Sequence, residues 1–522
     1  MSNRRVGVIG AGPGGLAAAM LLASAGADVT VHERLPEVGG RSGTVVADAP
    51  TGRYKFDIGP TFFLYPQILE EIFQAAGSRL ADHVDLIRLD PQYRLVFEAG
   101  GQIDATPDPT RMAAELARFS PDDAKALPRF MADNRAKLIA FRPVLQSPFN
   151  SFRDLLDPQV IKALAWLRPT KSVDGDLSGY FSDERVRLAF SFQSKYLGMS
   201  PFRCPSLFTI LSFMEYEYGV YHPRGGTGAV MAAMARVARS MGAKIKLNEP
   251  IDDILFEGKR AVGVRTASGE ARYDALVINS DFAQTMTKLV PDAIRRRWSD
   301  RKIASKKFSC STFMMYLGIE GDLPDLSHHT IYLAEDYKTN IAEIEAGMAP
   351  ANPSFYVQNA CVTDPALAPP GHSTLYVLIP VGHRMDGAAE WGPADVARYR
   401  AVAMQRLARI GIPDLEKRIR FEKVLTPVDW EHDLQVYRGA TFNLAHNLAQ
   451  MLHFRPRNRF EDLQNVYLVG GGTHPGSGLP VIFESARITS RLMAEDLNLD
   501  PNWQAPSAMA SNEYEPAIAE AL

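Results

Sequence analysis

The chain of 522 residues is 46% hydrophobic and 22% charged, with a formal net charge of −3, a balance that gives no electrostatic footprint for nucleic acid. Its length exceeds what one small core fills, so two or three interleaved domains are expected. Three scattered cysteines (Cys204, Cys310 and Cys361) argue against a disulfide framework and a zinc cluster, and they suit a reducing, cytoplasmic compartment.

Val6-Gly7-Val8-Ile9 reads as an apolar strand running into Gly10-Ala11-Gly12-Pro13-Gly14-Gly15, three glycines spaced G-x-G-x-x-G. Leu16 to Ala25 then continue as an Ala-rich helix. With a strand starting this early, no signal peptide is expected. A second strand, Val29-Thr30-Val31-His32, ends in Glu33, 18 residues after Gly15. Gly10 permits a tight turn, Gly12 lets backbone approach a pyrophosphate, and Gly15 lets the helix pack close to the strand, its first amides facing the phosphates. Glu33 stands where a carboxylate takes both hydroxyls of an adenosine ribose, which favours FAD or NAD. Set in strand, helix, strand and acid, the fingerprint outweighs the bland reading of a glycine-rich turn.

Pro107 to about Arg142 reads as helical, with Met112, Leu116, Phe119, Leu127, Phe130 and Met131 on one face. From Phe141 to Trp166 apolar side chains mix with Arg142, Arg153 and Lys162. That mixture fits an interfacial membrane segment or helices buried in a substrate domain, and periodicity does not separate the two. Phe62-Phe63-Leu64-Tyr65 is a weaker candidate for membrane contact. No uncharged apolar run approaches the roughly 18 residues of a spanning helix, so any membrane contact is peripheral. The chain returns to the nucleotide domain near Pro223-Arg224-Gly225-Gly226-Thr227-Gly228, with a helix over 229–241, a strand over 243–247, a hairpin over 251–266 and a strand over 273–279. Residues 300–425 are mixed, with β character at 308–319 and 374–380. A strand then restarts at Tyr467-Leu468-Val469, and Phe483 to Leu497 closes as a helix.

The segment after the ribose acid, Glu33-Arg34-Leu35-Pro36-Glu37-Val38-Gly39-Gly40-Arg41, resembles the flavoprotein family that includes amine oxidases, protoporphyrinogen oxidase and carotenoid desaturases, as does Phe56-Asp57-Ile58-Gly59-Pro60-Thr61. A Gly-Gly loop with a solvated arginine is the plain alternative. The run Val466-Tyr467-Leu468-Val469-Gly470-Gly471-Gly472-Thr473-His474-Pro475-Gly476-Ser477-Gly478-Leu479-Pro480 is similar to the C-terminal signature of bacterial and fungal type phytoene desaturases. Further matches follow in that family's order: Pro148-Phe149-Asn150-Ser151-Phe152-Arg153-Asp154, Tyr221-His222-Pro223, His328-His329-Thr330, Cys361-Val362-Thr363-Asp364 and Phe454-Arg455-Pro456. Relatives acting on C40 phytoene usually end the signature in Gly-Ile-Pro-Gly. Here Gly478-Leu479-Pro480-Val481 stands instead, which leaves carbon length, and desaturation against another polyene oxidation, open.

The resemblance implies an α/β fold: a Rossmann-like FAD-binding domain of the glutathione-reductase/amine-oxidase type, an interleaved substrate domain, and a helical, membrane-facing segment. The expected division is 1–105, 221–295 and 426–497 for FAD, 106–220 for the helical region, 296–425 for the substrate domain, and a disordered tail over 498–522. FAD contacts are implied at Gly10, Gly12, Pro13, Gly14, Gly15, Glu33, Arg34, Gly39, Gly40, Arg41, Gly59, Pro60, Thr61, Ile251, Gly471, Gly472, Gly478, Leu479 and Pro480, and no metal is implied. His474 either touches the flavin or caps its turn. The implied reaction is desaturation of an acyclic carotenoid precursor delivered from a membrane surface, with Asp154 and Arg153 as candidates for handling the departing proton. A helix-capping Asp beside a solvated Arg is the equal alternative. An isomerase, saturase or oxygenase of the same family would keep most of these motifs, and a prenyl-binding, non-enzymatic relative shares the fold. Oligomeric state is left open.

Overall fold

Past the exposed Arg5, Val6 to Ile9 are uncharged and buried, which makes Arg5–Ile9 a strand that water reaches on neither face over those residues. In the computed structural model, which describes residues 4–166, 171–348, 350–385, 391–501 and 503, it is the middle of a five-stranded parallel sheet. The strand order is Lys244–Lys246, Asp28–His32, Arg5–Ile9, Ala275–Ile278, Val466–Leu468. The helix Pro13–Ser24 has no polar face because it is enclosed. Leu16 to Leu22 are all buried, between the sheet and the helices Thr227–Ser240 and Leu479–Leu497. The opposite face is covered by an antiparallel meander, Asp253–Glu257, Arg260–Thr266 and Gly269–Arg272, with Ile254, Val264, Phe282 and Trp298 packed on Ile9, Leu276 and Ile278.

A second, seven-stranded sheet runs Ile419–Leu425, Ser311–Glu320, His372–Val381, Phe355–Gln358, His329–Leu333, Tyr93–Phe97, Gln102–Ala105. Its pairs are antiparallel except that of His329–Leu333 with Tyr93–Phe97. The expected boundary at 105 therefore gives way: the last two strands of the first segment belong to the sheet of residues 311–425, since both faces of Leu95 and Ile103 find their cover there and in the helical region. The helical stretch from Pro107 breaks into Pro109–Ala117 and Pro121–Gln146, because Ser120 accepts from the Asp123 amide (3.2 Å) and Pro121 suits a first helical turn. Over Phe141 to Trp166 part of the apolar set is core and part is exposed. Phe141, Val144, Phe149, Val160 and Ala163 are buried with Leu207, Ile210 and Met451, whereas Phe152, Leu156 and Ile161 are 60%, 62% and 53% exposed. The Phe62–Tyr65 run faces inward instead of meeting a membrane: Phe63 is buried in a short strand, and Phe62 stacks on His329 at 4.1 Å between ring centroids. The tail expectation falls outside the described residues apart from 498–501 and 503, where the Trp503 indole donates to Ser24 (2.7 Å).

Candidate active site

The first glycine turn has the shape its spacing requires. Gly10 holds φ at +97°, which only glycine adopts freely, and a Cβ on Gly15 would lie 2.1 Å from the Gly10 carbonyl. The helix beginning at Pro13 has no side-chain cap, and neither has the one beginning at Leu479, so both present bare amides at their N-termini. Glu33 is buried, and its two carboxylate oxygens accept from the amides of Ala11 (2.7 Å) and Leu35 (2.9 Å), which fixes the group while leaving lone pairs for further donors. Behind it His32 joins Glu249 (2.5 Å) and Tyr273 (2.7 Å); burial holds its imidazole below the usual range against the pull of Glu249.

A cavity of about 790 Å³ runs from this turn through the molecule. Of the residues implied by sequence, Gly10, Gly12, Pro13, Glu33, Arg34, Gly40, Arg41, Gly59, Pro60, Thr61, Ile251, Gly471, Gly472, Gly478, Leu479 and Pro480 line it. Gly14, Gly15 and Gly39 do not; they shape the wall from behind, and the Gly39 amide donates to the Ala11 carbonyl (2.8 Å). Two glycine turns more than 450 residues apart in sequence thus face one space, long enough for a dinucleotide, and the residues present fit FAD.

Arg41 donates to the Thr441 carbonyl (2.6 Å). Asn443 accepts from the same guanidinium (3.0 and 3.1 Å) and donates to Asp281 (2.6 Å). Burial pushes the Asp281 carboxyl up, opposed by Arg41. The Ile58–Thr61 segment is gripped by the second sheet and the Thr227 helix: Tyr316 donates to the Ile58 carbonyl (2.6 Å), Tyr376 to Gly59 (2.8 Å) and Thr227 to Pro60 (2.6 Å), while Tyr356 shares a hydrogen bond with Thr61 (2.7 Å). Beyond Thr61 the walls are aromatic and aliphatic, with Phe62, Tyr196, Phe141, Leu145, Phe208 and Met214 among them.

Four groups of residues escaped the sequence reading. Asp281, Thr441 and Asn443 come from separate segments and carry no motif. Arg455 is fully buried and donates to the carbonyls of Leu444, Gln450, Gly471 and Thr473, so it shapes the second glycine turn from behind. The signal for it was the Phe454-Arg455-Pro456 match, which gave no role. The His222, His328-His329 and Asp364 motifs converge on one buried chain: His222 lies 3.5 Å from Asp364, and His329 bonds Tyr356 (2.7 Å). Lys195 faces the cavity.

Asp154 and Arg153 do not line it. Asp154 accepts from the Ser151 amide (2.8 Å) and hydroxyl (2.9 Å), a capping box on the short turn Phe152–Leu156, and Arg153 is exposed. His474 also stays out of the cavity. It is buried, bonds the Ser147 carbonyl (3.0 Å) and is pulled down to about 3 by burial, so it ties the turn to the helical region as a neutral ring.

Over residues 13–494 the chain matches the family described as flavin containing amine oxidoreductase. It is 43% identical to a 4,4'-diapophytoene desaturase (4,4'-diapolycopene-forming) from Methylomonas sp over 497 residues, 95% of this chain and 96% of the relative. It is 38% identical to an all-trans-zeta-carotene desaturase from Myxococcus xanthus over 507 residues, 96% of this chain and 95% of the relative. An oxidoreductase from Methanosarcina mazei of known structure superposes with a TM-score of 0.61 at 18% identity, covering 94% of this chain and 99% of that one, a likeness of fold.

Proposed function

Because the chain belongs to the flavin-containing amine oxidoreductases, and to the carotenoid desaturases among them, we propose that it introduces C–C double bonds into an acyclic isoprenoid polyene of the phytoene or diapophytoene kind. The cofactor is FAD. The observation that carries the reading is the continuity of one cavity from the Glu33 carboxylate, past Arg41 and the second glycine turn, into a space walled by apolar and aromatic side chains. When bound, FAD supplies a hydride acceptor, the hard part of the chemistry. The chain's own residues do the rest. Glu33 takes the ribose hydroxyls, the bare helix amides take the pyrophosphate, and the tyrosines of the second sheet hold Ile58–Thr61 rigid beside the reacting part of the cavity. The apolar wall orients an extended polyene and keeps water out.

Delivery from a bilayer follows from the substrate's chemistry, since each CH₂ removed from water is worth about 0.8 kcal/mol and leaves almost no free polyene. Phe152, Leu156 and Ile161, joined by Leu448 (50% exposed) and Phe454 (43% exposed), form the docking face. They lie in sequence near Leu155, Val160 and Leu452 of the buried cluster, whose members Phe141, Leu207, Ile210 and Met451 line the cavity. Among the described residues no helix is long and apolar enough to cross a membrane, and the docking proposed is at the bilayer surface. The test is turnover of farnesyl-derived C30 and geranylgeranyl-derived C40 polyenes presented in liposomes to the FAD-loaded protein, with products separated by chromatography. Longer conjugated chromophores are expected; recovery of both substrates unchanged, or of isomers only, overturns the reading.

A further inference from the structure

Desaturation breaks two C–H bonds on adjacent carbons. One hydrogen leaves with its electron pair as hydride for the cofactor; the other leaves as a proton, and its electron pair becomes the new π bond. The proton needs an acceptor, and neither Asp154 nor Arg153 reaches the cavity. The ionisable groups that do line it are mostly engaged. Glu33, His32 and Glu249 lie at the ribose end, Arg41 and Asp281 are joined through Asn443, and Glu71 and Glu484 are paired with Arg487. Tyr356 and Tyr376 spend their hydroxyls on Thr61, His329 and Gly59.

Three lining groups keep an unpaired nitrogen among the described residues: His446 at Nδ1, its imidazole held well below the usual range by burial and so a weak base, Lys288 on the helix Phe282–Leu289, and Lys195. Lys195 sits on the short turn Phe192–Leu197, and among the described residues its ammonium meets no hydrogen-bond or ion-pair partner. It is half-buried and lines the cavity. The turn abuts the start of the strand Ser311–Glu320: a Cβ on Gly198 would lie 2.7 Å from Ser309 Cβ and 3.2 Å from the Cys310 amide. From Cys310 the carbonyl accepts from Thr441 (3.4 Å), whose own carbonyl accepts from Arg41, so Lys195 borders the cofactor's part of the cavity. We propose that Lys195 is the base that accepts the substrate proton, its free amine lone pair forming the new N–H bond as the C–H bond breaks, before the ammonium returns that proton to water. The proposal rests on the desaturase reading above.

Burial draws the Lys195 ammonium down to about 8, resisted by Cys310 and Glu345. A neutral amine beside a carbon losing hydride adds no positive charge to an electron-poor polyene, and lysines brought near neutrality by burial are effective bases. The groups facing it from the adjoining elements are Cys310, Tyr337 and Glu345, with Tyr196 on its own turn. Burial raises the thiol and both phenols further from neutrality, and Glu345 is paired with Arg203 (3.2 Å).

The test compares the FAD-loaded wild type with Lys195→Met and Lys195→Arg. General bases contribute about 10²- to 10⁴-fold, so both variants are expected to lose at least a hundredfold in kcat with little change in KM and with full flavin content. Arginine stays protonated and cannot take the proton. The wild-type kcat is expected to rise with pH through a midpoint near 8 that the variants lack. Independently of turnover, trace labelling with acetic anhydride across pH, read by mass spectrometry, should show Lys195 titrating near 8 and protected by added polyene. Near wild-type kcat in Lys195→Met, rescue by arginine (a cation's role), or labelling with an ordinary lysine midpoint and no protection would each overturn the assignment. A Lys195→Met protein without flavin is replaced in the comparison by Lys195→Gln, with labelling of the wild type deciding. A wild type that leaves every polyene unchanged overturns the desaturase reading and the base with it; an active wild type with an equally active variant overturns the base alone.

Discussion

Glu33 is held by two backbone amides, so its geometry is set before any ligand arrives. Glu33→Arg removes two acceptors for ribose hydroxyls and puts a cation where a carboxylate belongs; flavin per protein, read from the visible flavin band, is expected to fall at least tenfold, and a full band would remove Glu33 from the cofactor site. Asp154→Asn is expected to leave turnover within about twofold, because Asn caps a helical turn about as well as Asp and the side chain faces Ser151. A loss above tenfold with flavin retained would restore it to the chemistry. The contrast explains what could be read from sequence. The acid proposed for the ribose and its glycines lie within a stretch of 24 residues, from Gly10 to Glu33, so spacing carries them. Ser151-Phe152-Arg153-Asp154 is equally local, yet a capping box and an acid–base pair look alike until burial is known. Asp281 and Asn443 owe their places to partners far away in the chain, and Arg455, though its partners lie within 18 residues, binds backbone carbonyls that no side-chain pattern marks.

At the scale of elements, the strands and helices that face apolar surroundings on both sides announce themselves, whereas sheet membership does not. Nothing in Tyr93–Phe97 says that its partner is His329–Leu333, because alternation fixes a face and not a neighbour. The helix Thr209–Tyr218 carries a further feature invisible in sequence. Its Glu215 is fully buried, accepts from Tyr93 (3.0 Å) and Gln193 (2.9 Å), and is pushed up to about 7, chiefly by desolvation. Between its ordinary value of 4.5 and about 7 the folded protein holds a proton that the unfolded chain has released, so this group makes stability fall as pH rises through that window. The full difference is worth roughly 3 kcal/mol. Glu215→Gln, nearly isosteric and never charged, should flatten that fall when denaturant midpoints at pH 5 and pH 8 are compared; an unchanged difference between the two pH values would show that the carboxyl titrates normally.

At the scale of the whole molecule, Phe152, Leu156 and Ile161 are exposed large apolar side chains on segments that also supply Val160 and Ala163 to a buried cluster bordering the cavity, and the membrane docking proposed for them is testable. Fully burying a Leu, Ile or Phe side chain is worth about 1.5–3 kcal/mol, so replacing Phe152, Leu156 and Ile161 together by serine should cut liposome flotation at least tenfold while leaving flavin content intact. Flotation equal to wild type would move the docking face elsewhere. The order of strands in the central sheet has a consequence for how the protein is made. Val466–Leu468 is its last strand to be synthesised, and until it emerges Ala275–Ile278 is an open edge, with Tyr93–Phe97 waiting more than 200 residues for its parallel partner. A ribosome-bound chain therefore spends most of its synthesis with unpaired strands and half a nucleotide cradle, and is expected not to retain flavin until the second glycine turn is in place. Yellow colour in a cell lysate becomes a report on finished chains, since a product that stops short of the second glycine turn carries the complete N-terminal fingerprint and still stays colourless.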